Sequence, residues 1–144
     1  KTKDNAGAGF KYEYSYEEAG QLIQKFVPAW RIEIEKYFAL VVFNFLFSNG
    51  DAHLKNFSLL ESLSGDYLLS PAYDLVNTAL HVDDTDFALD KGLFAKSRVE
   101  KLLNPFLEKQ AFAETLISRS FLSEAGKRGY LLMYNTRRNY LIAQ

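Results

Sequence analysis

The chain contains no cysteine. That excludes disulfides, thiolate-ligated zinc and thiol catalysis. Proline and glycine are scarce, 3 and 8 in 144 residues, which argues for regular structure over loops. Charge of one sign is lacking too: 17 basic residues stand against 18 acidic ones, a net charge of −1. So balanced a chain is a poor electrostatic binder of nucleic acid. Long hydrophobic runs are missing. The longest, residues 37–47, is interrupted by Asn44 and falls short of the ~20 residues that cross a bilayer, so no membrane span is expected. The first residue is Lys1, not Met, and no signal-like apolar segment follows it. The simplest reading is a fragment of a longer cytoplasmic protein, cut upstream of Lys1.

What the chain does have is apolar bulk. Apolar residues make up 48% of it, and 12 Phe, 9 Tyr and 1 Trp make up its aromatics. Disordered chains lack that richness. At this size one domain is expected, burying roughly 68% of the surface its unfolded form exposes.

Residues 1–14 read as a linker or the start of the fragment, and residues 15–144 as the domain. Ser15-Tyr16-Glu17-Glu18 fits a capping box. Ala19, Leu22, Ile23, Phe26 and Val27 then recur at helical spacing on one stripe. Pro28 should end that helix and open the next at its first position. A second helix is expected from Ala29 to about Ser48. Ile32-Glu33-Ile34-Glu35 alternates as a strand would, but about 20 residues without Gly or Pro favour a helix. Its second half is apolar all round, the mark of a central helix, and Asn49-Gly50 should break it.

Residues 57–60 and 67–70 are short apolar runs around Ser64-Gly65-Asp66, a hairpin pattern stopped by Pro71. Residues 74–80 read as a helical turn, and residues 85–89 as a small strand. Ser97 to Glu100 matches a second capping box, and Asn104-Pro105 a cap followed by proline. The helix after it should turn Phe112, Leu116 and Ile117 to one side. Ser123 should cap a last helix reaching about Ile142. The expected fold is mainly α, with one or two short β-hairpins after the central helix.

Chemistry concentrates in Asn49-Gly50-Asp51-Ala52-His53-Leu54-Lys55-Asn56, where polar and ionisable groups crowd directly after the most apolar stretch. A buried helix that ends in such a loop holds those groups on a rigid base. Phosphoryl transfer from ATP needs a carboxylate for the acceptor hydroxyl, oxygen ligands for Mg²⁺ and cations for the phosphates. Asp51 can supply the first and the Asn56 amide oxygen the second, while Lys55 and His53 can face the phosphates. Protein kinases set the catalytic Asp and the metal-binding Asn five residues apart, as Asp51 and Asn56 are, and a second carboxylate follows a hairpin, as Asp74 does.

The string Asn-Gly-Asp-x-His-x-Lys-Asn-Phe-Ser, with Ser70-Pro71-Ala72-Tyr73-Asp74 after it, resembles the HipA family of serine/threonine kinases. These are the toxins of HipA–HipB toxin–antitoxin pairs. Residues 119–123 and the following helix also look like the end of HipA-type chains. The loop is similar, too, to the His-Gly-Asp-x-x-x-x-Asn loop of small-molecule kinases such as the aminoglycoside phosphotransferases, with Asn49 where those carry His. The HipA resemblance implies a protein-kinase-like C-terminal lobe. It implies Asp51 as catalytic base, Asn56 and Asp74 as Mg²⁺ ligands, and His53, Lys55 and Tyr73 against the nucleotide. The implied cofactors are ATP and Mg²⁺, and the implied partners are a protein substrate, a HipB-like antitoxin and a nucleotide-binding N-terminal lobe. No Gly-rich phosphate loop and no strand lysine of the Val-Ala-Ile-Lys type occurs in the chain, so that lobe should lie upstream or on another chain. Without it, the fragment should be inactive alone, and a partner-binding module is the alternative reading.

Other groups carry less. His81 has no companion motif. Asp83, Asp84 and Asp86 lack the EF-hand Gly and Glu and read as a turn. Lys127, Arg128, Arg137 and Arg138 spread around the last helix and read as mixed solvated surface.

Overall fold

A computed structural model describes residues 15–80 and 96–143. The expectations for residues 1–14 and 85–89, and those for His81, Asp83, Asp84 and Asp86, fall outside the described residues. Five α-helices and one hairpin occur within them: α1 (Tyr16–Phe26), α2 (Trp30–Leu46), β1 (Leu59–Glu61), β2 (Tyr67–Leu69), α3 (Lys96–Leu107), α4 (Ala111–Arg119) and α5 (Glu124–Ile142). The chain is mainly α with one small antiparallel pair, as expected. None of these helices is long and apolar enough to cross a membrane.

The capping box at the start of α1 is formed. The Glu18 amide donates to Ser15 Oγ at 3.2 Å, and the Ser15 amide to Glu18 Oε2 at 2.8 Å. Ala19, Ile23 and Val27 are buried along its stripe, whereas Phe26 is half exposed. Pro28 precedes Ala29, the cap of α2, so it ends one helix without opening the next at its first position. The central role expected of α2 is observed: it packs against α1, α3, α5 and β2. Its two faces enter two apolar clusters. One joins Ile34, Tyr37 and Val41 to α1, and the other joins Phe38, Val42, Phe45 and Leu46 to α3 and α5.

The local alternation of residues 32–35 has a tertiary use. Glu33 is buried and accepts from the β2 amide of Leu69 at 2.9 Å and from Lys36 Nζ at 2.7 Å. A buried carboxylate with both oxygens partnered fixes the hairpin on α2. The hairpin pairs Leu59 with Leu69 and Glu61 with Tyr67 around Gly65, whose φ of 83° suits a residue with no Cβ.

The end of α2 departs from expectation. Asn49-Gly50 does not stop it. Ser48 does, in the left-handed region at φ 58°. The Asn49 amide donates to the Asn44 carbonyl and the Ser48 amide to the Phe45 carbonyl, the two bonds of a Schellman motif that usually closes on glycine. Ser48 is fully buried and its hydroxyl has no partner among the described residues. A left-handed non-glycine costs about 1–2 kcal/mol and an unpaired buried hydroxyl about 1–3 kcal/mol. Glycine adds chain entropy worth about 0.5–1 kcal/mol to the unfolded state. Ser48→Gly should therefore stabilise the fold by ~1 kcal/mol net, read as a higher denaturation midpoint at unchanged slope.

Three further expectations are corrected. Residues 74–80 form no helical turn; they run in extended and irregular backbone, with a turn only at residues 79–80. Side-chain bonds to the preceding loop replace helical ones there. Ser97 lies inside α3, not at its cap, and α3 continues through Asn104 and Pro105 to Leu107. Proline is tolerated there because the buried Val99 and Leu103 hold the helix before it, and the partly buried Phe106 and Leu107 pack on the same cluster after it. Phe112, Leu116 and Ile117 do turn to one side of α4, where all three line one cavity, but Phe112 and Leu116 stay exposed and only Ala113 and Ile117 are buried. Ser123 does cap α5, accepting from the Gly126 amide at 3.1 Å. The basic residues of α5 share no face: Lys127 pairs with Glu124, and Arg137 donates to the Phe45 carbonyl at 3.0 Å with its guanidinium over the Phe45 ring.

Candidate active site

The loop after α2 is braced from beneath. Tyr16 Oη, from α1, donates to the Ala52 carbonyl at 2.8 Å, one residue past Asp51. Tyr37 Oη donates to the Tyr16 carbonyl at 3.1 Å. Phe57 meets both rings edge-on, at 6.1 Å from Tyr16 and 5.0 Å from Tyr37. Burial, with Tyr16 and Glu17 nearby, pushes the Tyr37 phenol far above its ordinary value, so it stays a donor over the whole working range of pH. The aromatic richness of the sequence thus serves as a rigid floor under the polar loop.

Above that floor lie the residues singled out in the sequence. A single 3₁₀ turn, Leu54–Asn56, carries Asn56 inward, where it is 5% exposed. Asn56 Nδ2 donates to Asp74 Oδ2 at 2.7 Å. Two residues 18 apart in sequence are therefore side chain to side chain. Only one amide orientation suits that contact, because an amide oxygen facing a carboxylate would repel it. Asn56 Oδ1 is consequently left buried and without a partner among the described residues. Such an oxygen costs about 1–3 kcal/mol unless something binds it. Asp74 is exposed and sits at φ 55°, in the left-handed region. Aspartate tolerates that conformation better than most residues.

Asp51 and His53 are neighbours. The Asp51 carboxylate is about half exposed, His53 is nearly buried, and Oδ1 lies 3.8 Å from Nε2. The His53 amide donates to the Asp51 carbonyl at 2.9 Å, which tightens the backbone between them. Asp51 thus presents a carboxylate to solvent at the edge of the core, beside an imidazole. Lys55 is exposed, and no partner for its ammonium occurs among the described residues. The Tyr73 hydroxyl is engaged: it donates to the Lys55 carbonyl at 2.6 Å and shares a 2.6 Å bond with Ser58 Oγ. Tyr73 therefore ties the segment before Asp74 to the 3₁₀ turn, with its ring partly exposed.

Residues that sequence reasoning passed over hold these groups in register. Asn49, 3% exposed, donates from Nδ2 both to Asn44 Oδ1 and to the Asp74 carbonyl, each at 3.1 Å. The Gly50 amide donates to Thr78 Oγ1 at 2.8 Å. Thr78 in turn donates to the Ser48 carbonyl from its hydroxyl at 3.1 Å and from its amide at 3.0 Å. The signal for Asn44 was present in the sequence: an amide inside an otherwise apolar helix must find a partner when buried. Thr78 carried no such signal. Tyr130 of α5 faces the same segment. Burial raises its pKa, and the nearby Asn77 side chain pulls the other way.

Among the described residues, no three His, Asp or Glu side chains converge as a metal cluster. Mg²⁺ does not require one, because it keeps waters and takes phosphate oxygens beside one or two protein ligands. The hard oxygens of Asn56 and Asp74 fit that demand. The large apolar cavity of about 630 Å³ between the end of α2, α4 and α5 takes no lining residue from the loop or from residues 70–78. The candidate site is thus marked by polar geometry, not by cavity size.

Two comparisons with known proteins bear on this arrangement. Residues 3–124 match the profile of the HipA-like C-terminal domain. The chain is also similar to the protein named "Putative kinase Y4dM" of Sinorhizobium fredii (strain NBRC 101917 / NGR234), 39% identical over 56 residues. That match covers 39% of this chain and 14% of the relative.

Proposed function

The chain belongs to the HipA-like C-terminal domain family, which is kinase-related, and on that premise we propose that it is the catalytic lobe of a serine/threonine kinase transferring the γ-phosphoryl of ATP to a protein hydroxyl. The observation that carries this reading is the pairing of Asn56 with Asp74, which leaves one buried amide oxygen unsatisfied next to an exposed carboxylate. Asn56 and Asp74 would hold Mg²⁺. When bound, the ion supplies neutralisation of phosphate charge. Asp51 would orient the acceptor hydroxyl and accept its proton as the new P–O bond forms, and its exposure lets an incoming serine or threonine reach it. His53, nearly buried beside it, would fix the carboxylate's direction. The Lys55 ammonium, exposed one residue before Asn56, would meet the phosphates. Tyr73 would act through the backbone of Lys55, which it holds.

Several donors of this reading come from one loop and one following segment, so positioning is the main catalytic contribution available to the lobe. An N-terminal lobe to grip adenine, and a HipB-like antitoxin as partner, are part of the same proposal. The test is incubation of the full-length protein with Mg²⁺ and ATP labelled in the γ-phosphate, offered protein and aminoglycoside acceptors side by side. Label on serine or threonine of protein is expected. Label on the aminoglycoside alone would replace the protein-kinase reading with a small-molecule one, and no label on either would overturn both.

A further inference from the structure

We infer that Thr78, four residues past Asp74, is a positioning residue: its hydroxyl latches the carboxylate-bearing segment to the loop that carries Asp51. The inference deepens the kinase reading and rests on it for its catalytic consequence.

The hydroxyl is used in both directions. It accepts from the Gly50 amide at 2.8 Å and donates to the Ser48 carbonyl at 3.1 Å, while the Thr78 amide donates to the same carbonyl at 3.0 Å. Gly50 immediately precedes Asp51. Ser48 is one of two left-handed non-glycine residues within the described chain, and Asp74 is the other. Left-handed residues persist where surrounding contacts over-determine them. Each has its carbonyl held: Thr78 holds that of Ser48, and Asn49 holds that of Asp74 at 3.1 Å. Residues 74–78 have no helix or strand of their own to fix them. Two cross-links, Asn49 at one end and Thr78 at the other, thus set where Asp74 stands relative to Asp51 and Asn56. The methyl group of threonine contributes nothing to these bonds, so serine should replace it and valine, of the same shape, should not.

The experiment compares wild type, Thr78→Val and Thr78→Ser in the full-length protein. Residues bonded directly to metal ligands typically change affinity or activity by about 10- to 100-fold, and Thr78, which acts one step further out through Gly50 and Ser48, belongs at the low end. Thr78→Val should lower kcat by about tenfold and raise the Mg²⁺ concentration for half-maximal rate several-fold, with the KM for the protein acceptor unchanged. Its Gly50 amide should exchange with solvent faster than in wild type. Thr78→Ser should restore both readouts to within about twofold. Wild-type Mg²⁺ dependence in Thr78→Val, or a serine variant as impaired as the valine one, would overturn the inference. If the wild-type protein transfers no phosphoryl group, the kinase reading fails separately. The latch is then judged on amide exchange at Gly50 and on Mn²⁺ binding: faster exchange and weaker binding in Thr78→Val, both restored in Thr78→Ser, support it, and equal values in all three proteins refute it.

Discussion

Asp51→Asn in the full-length protein should reduce phosphoryl transfer by roughly 10²- to 10⁴-fold, the usual share of a positioned general base. The substitution keeps the shape and the hydrogen-bonding reach of the side chain and removes only its charge and basicity. Because the carboxylate is about half exposed, little folding energy rests on it. Its contact with His53 is at 3.8 Å, too long for a strong hydrogen bond. The backbone bond from the His53 amide to the Asp51 carbonyl survives. The melting temperature should therefore stay within a few degrees of wild type while the rate collapses. ATP affinity should change little, since Asp51 is assigned to the acceptor and not to the nucleotide. A variant that transferred phosphate at the wild-type rate would remove Asp51 from the chemistry. A variant that lost activity and unfolded together would show a structural role instead.

Asn56→Leu should move activity and stability in opposite directions. The side chain is 5% exposed and its Oδ1 has no partner among the described residues. Leucine removes that unsatisfied acceptor, which costs about 1–3 kcal/mol, and adds apolar contact with a floor already built from Tyr16, Tyr37 and Phe57. What is lost is the 2.7 Å bond to Asp74, and Asp74 is exposed enough for water to take the place of the amide. A gain of ~1 kcal/mol in unfolding free energy is the expected balance. Under the proposed function, transfer should fall by about 100-fold or more, because the Asn56 amide oxygen would no longer be there for Mg²⁺ and the Asp74 carboxylate would have lost its guide. Denaturant titration and a rate measurement on the same preparation read both effects. A loss of stability with full activity would mean that Asn56 is a structural amide. A stable variant with full activity would show that its oxygen holds nothing the reaction needs. This trade is what a site kept for function, at some expense to the fold, should display.

Much of this arrangement was legible in the residues themselves. The capping box at Ser15 and the stripe on α1 are local patterns, and their energies act over a single helical turn. The all-round apolarity of residues 38–43 marked the central helix because such a surface can only be covered on every side. The octet from Asn49 to Asn56 was legible by chemistry, and its resemblance to HipA agrees with the match over residues 3–124. Other readings failed where a distant contact outweighed a local preference. Ser97 and Asn104 have the chemistry of caps, yet α3 runs through both, because apolar burial of Val99 and Leu103 outweighs the fraction of a kcal/mol that a cap contributes. Residues 74–80 have no apolar period strong enough to decide their backbone. Bonds from Asn49 and Thr78 decide it instead.

The fold class, the central helix, the hairpin and the loop in which chemistry is concentrated follow from the residues alone, since each depends on neighbours within a few positions. It took the packed chain to bring Asn56 to Asp74 across 18 positions, to set Tyr16 under the loop from another helix, and to make Ser48, not Asn49-Gly50, the residue that turns the chain out of α2. Those outcomes depend on how groups far apart in the chain satisfy one another's hydrogen bonds when water is excluded, and no local pattern encodes that.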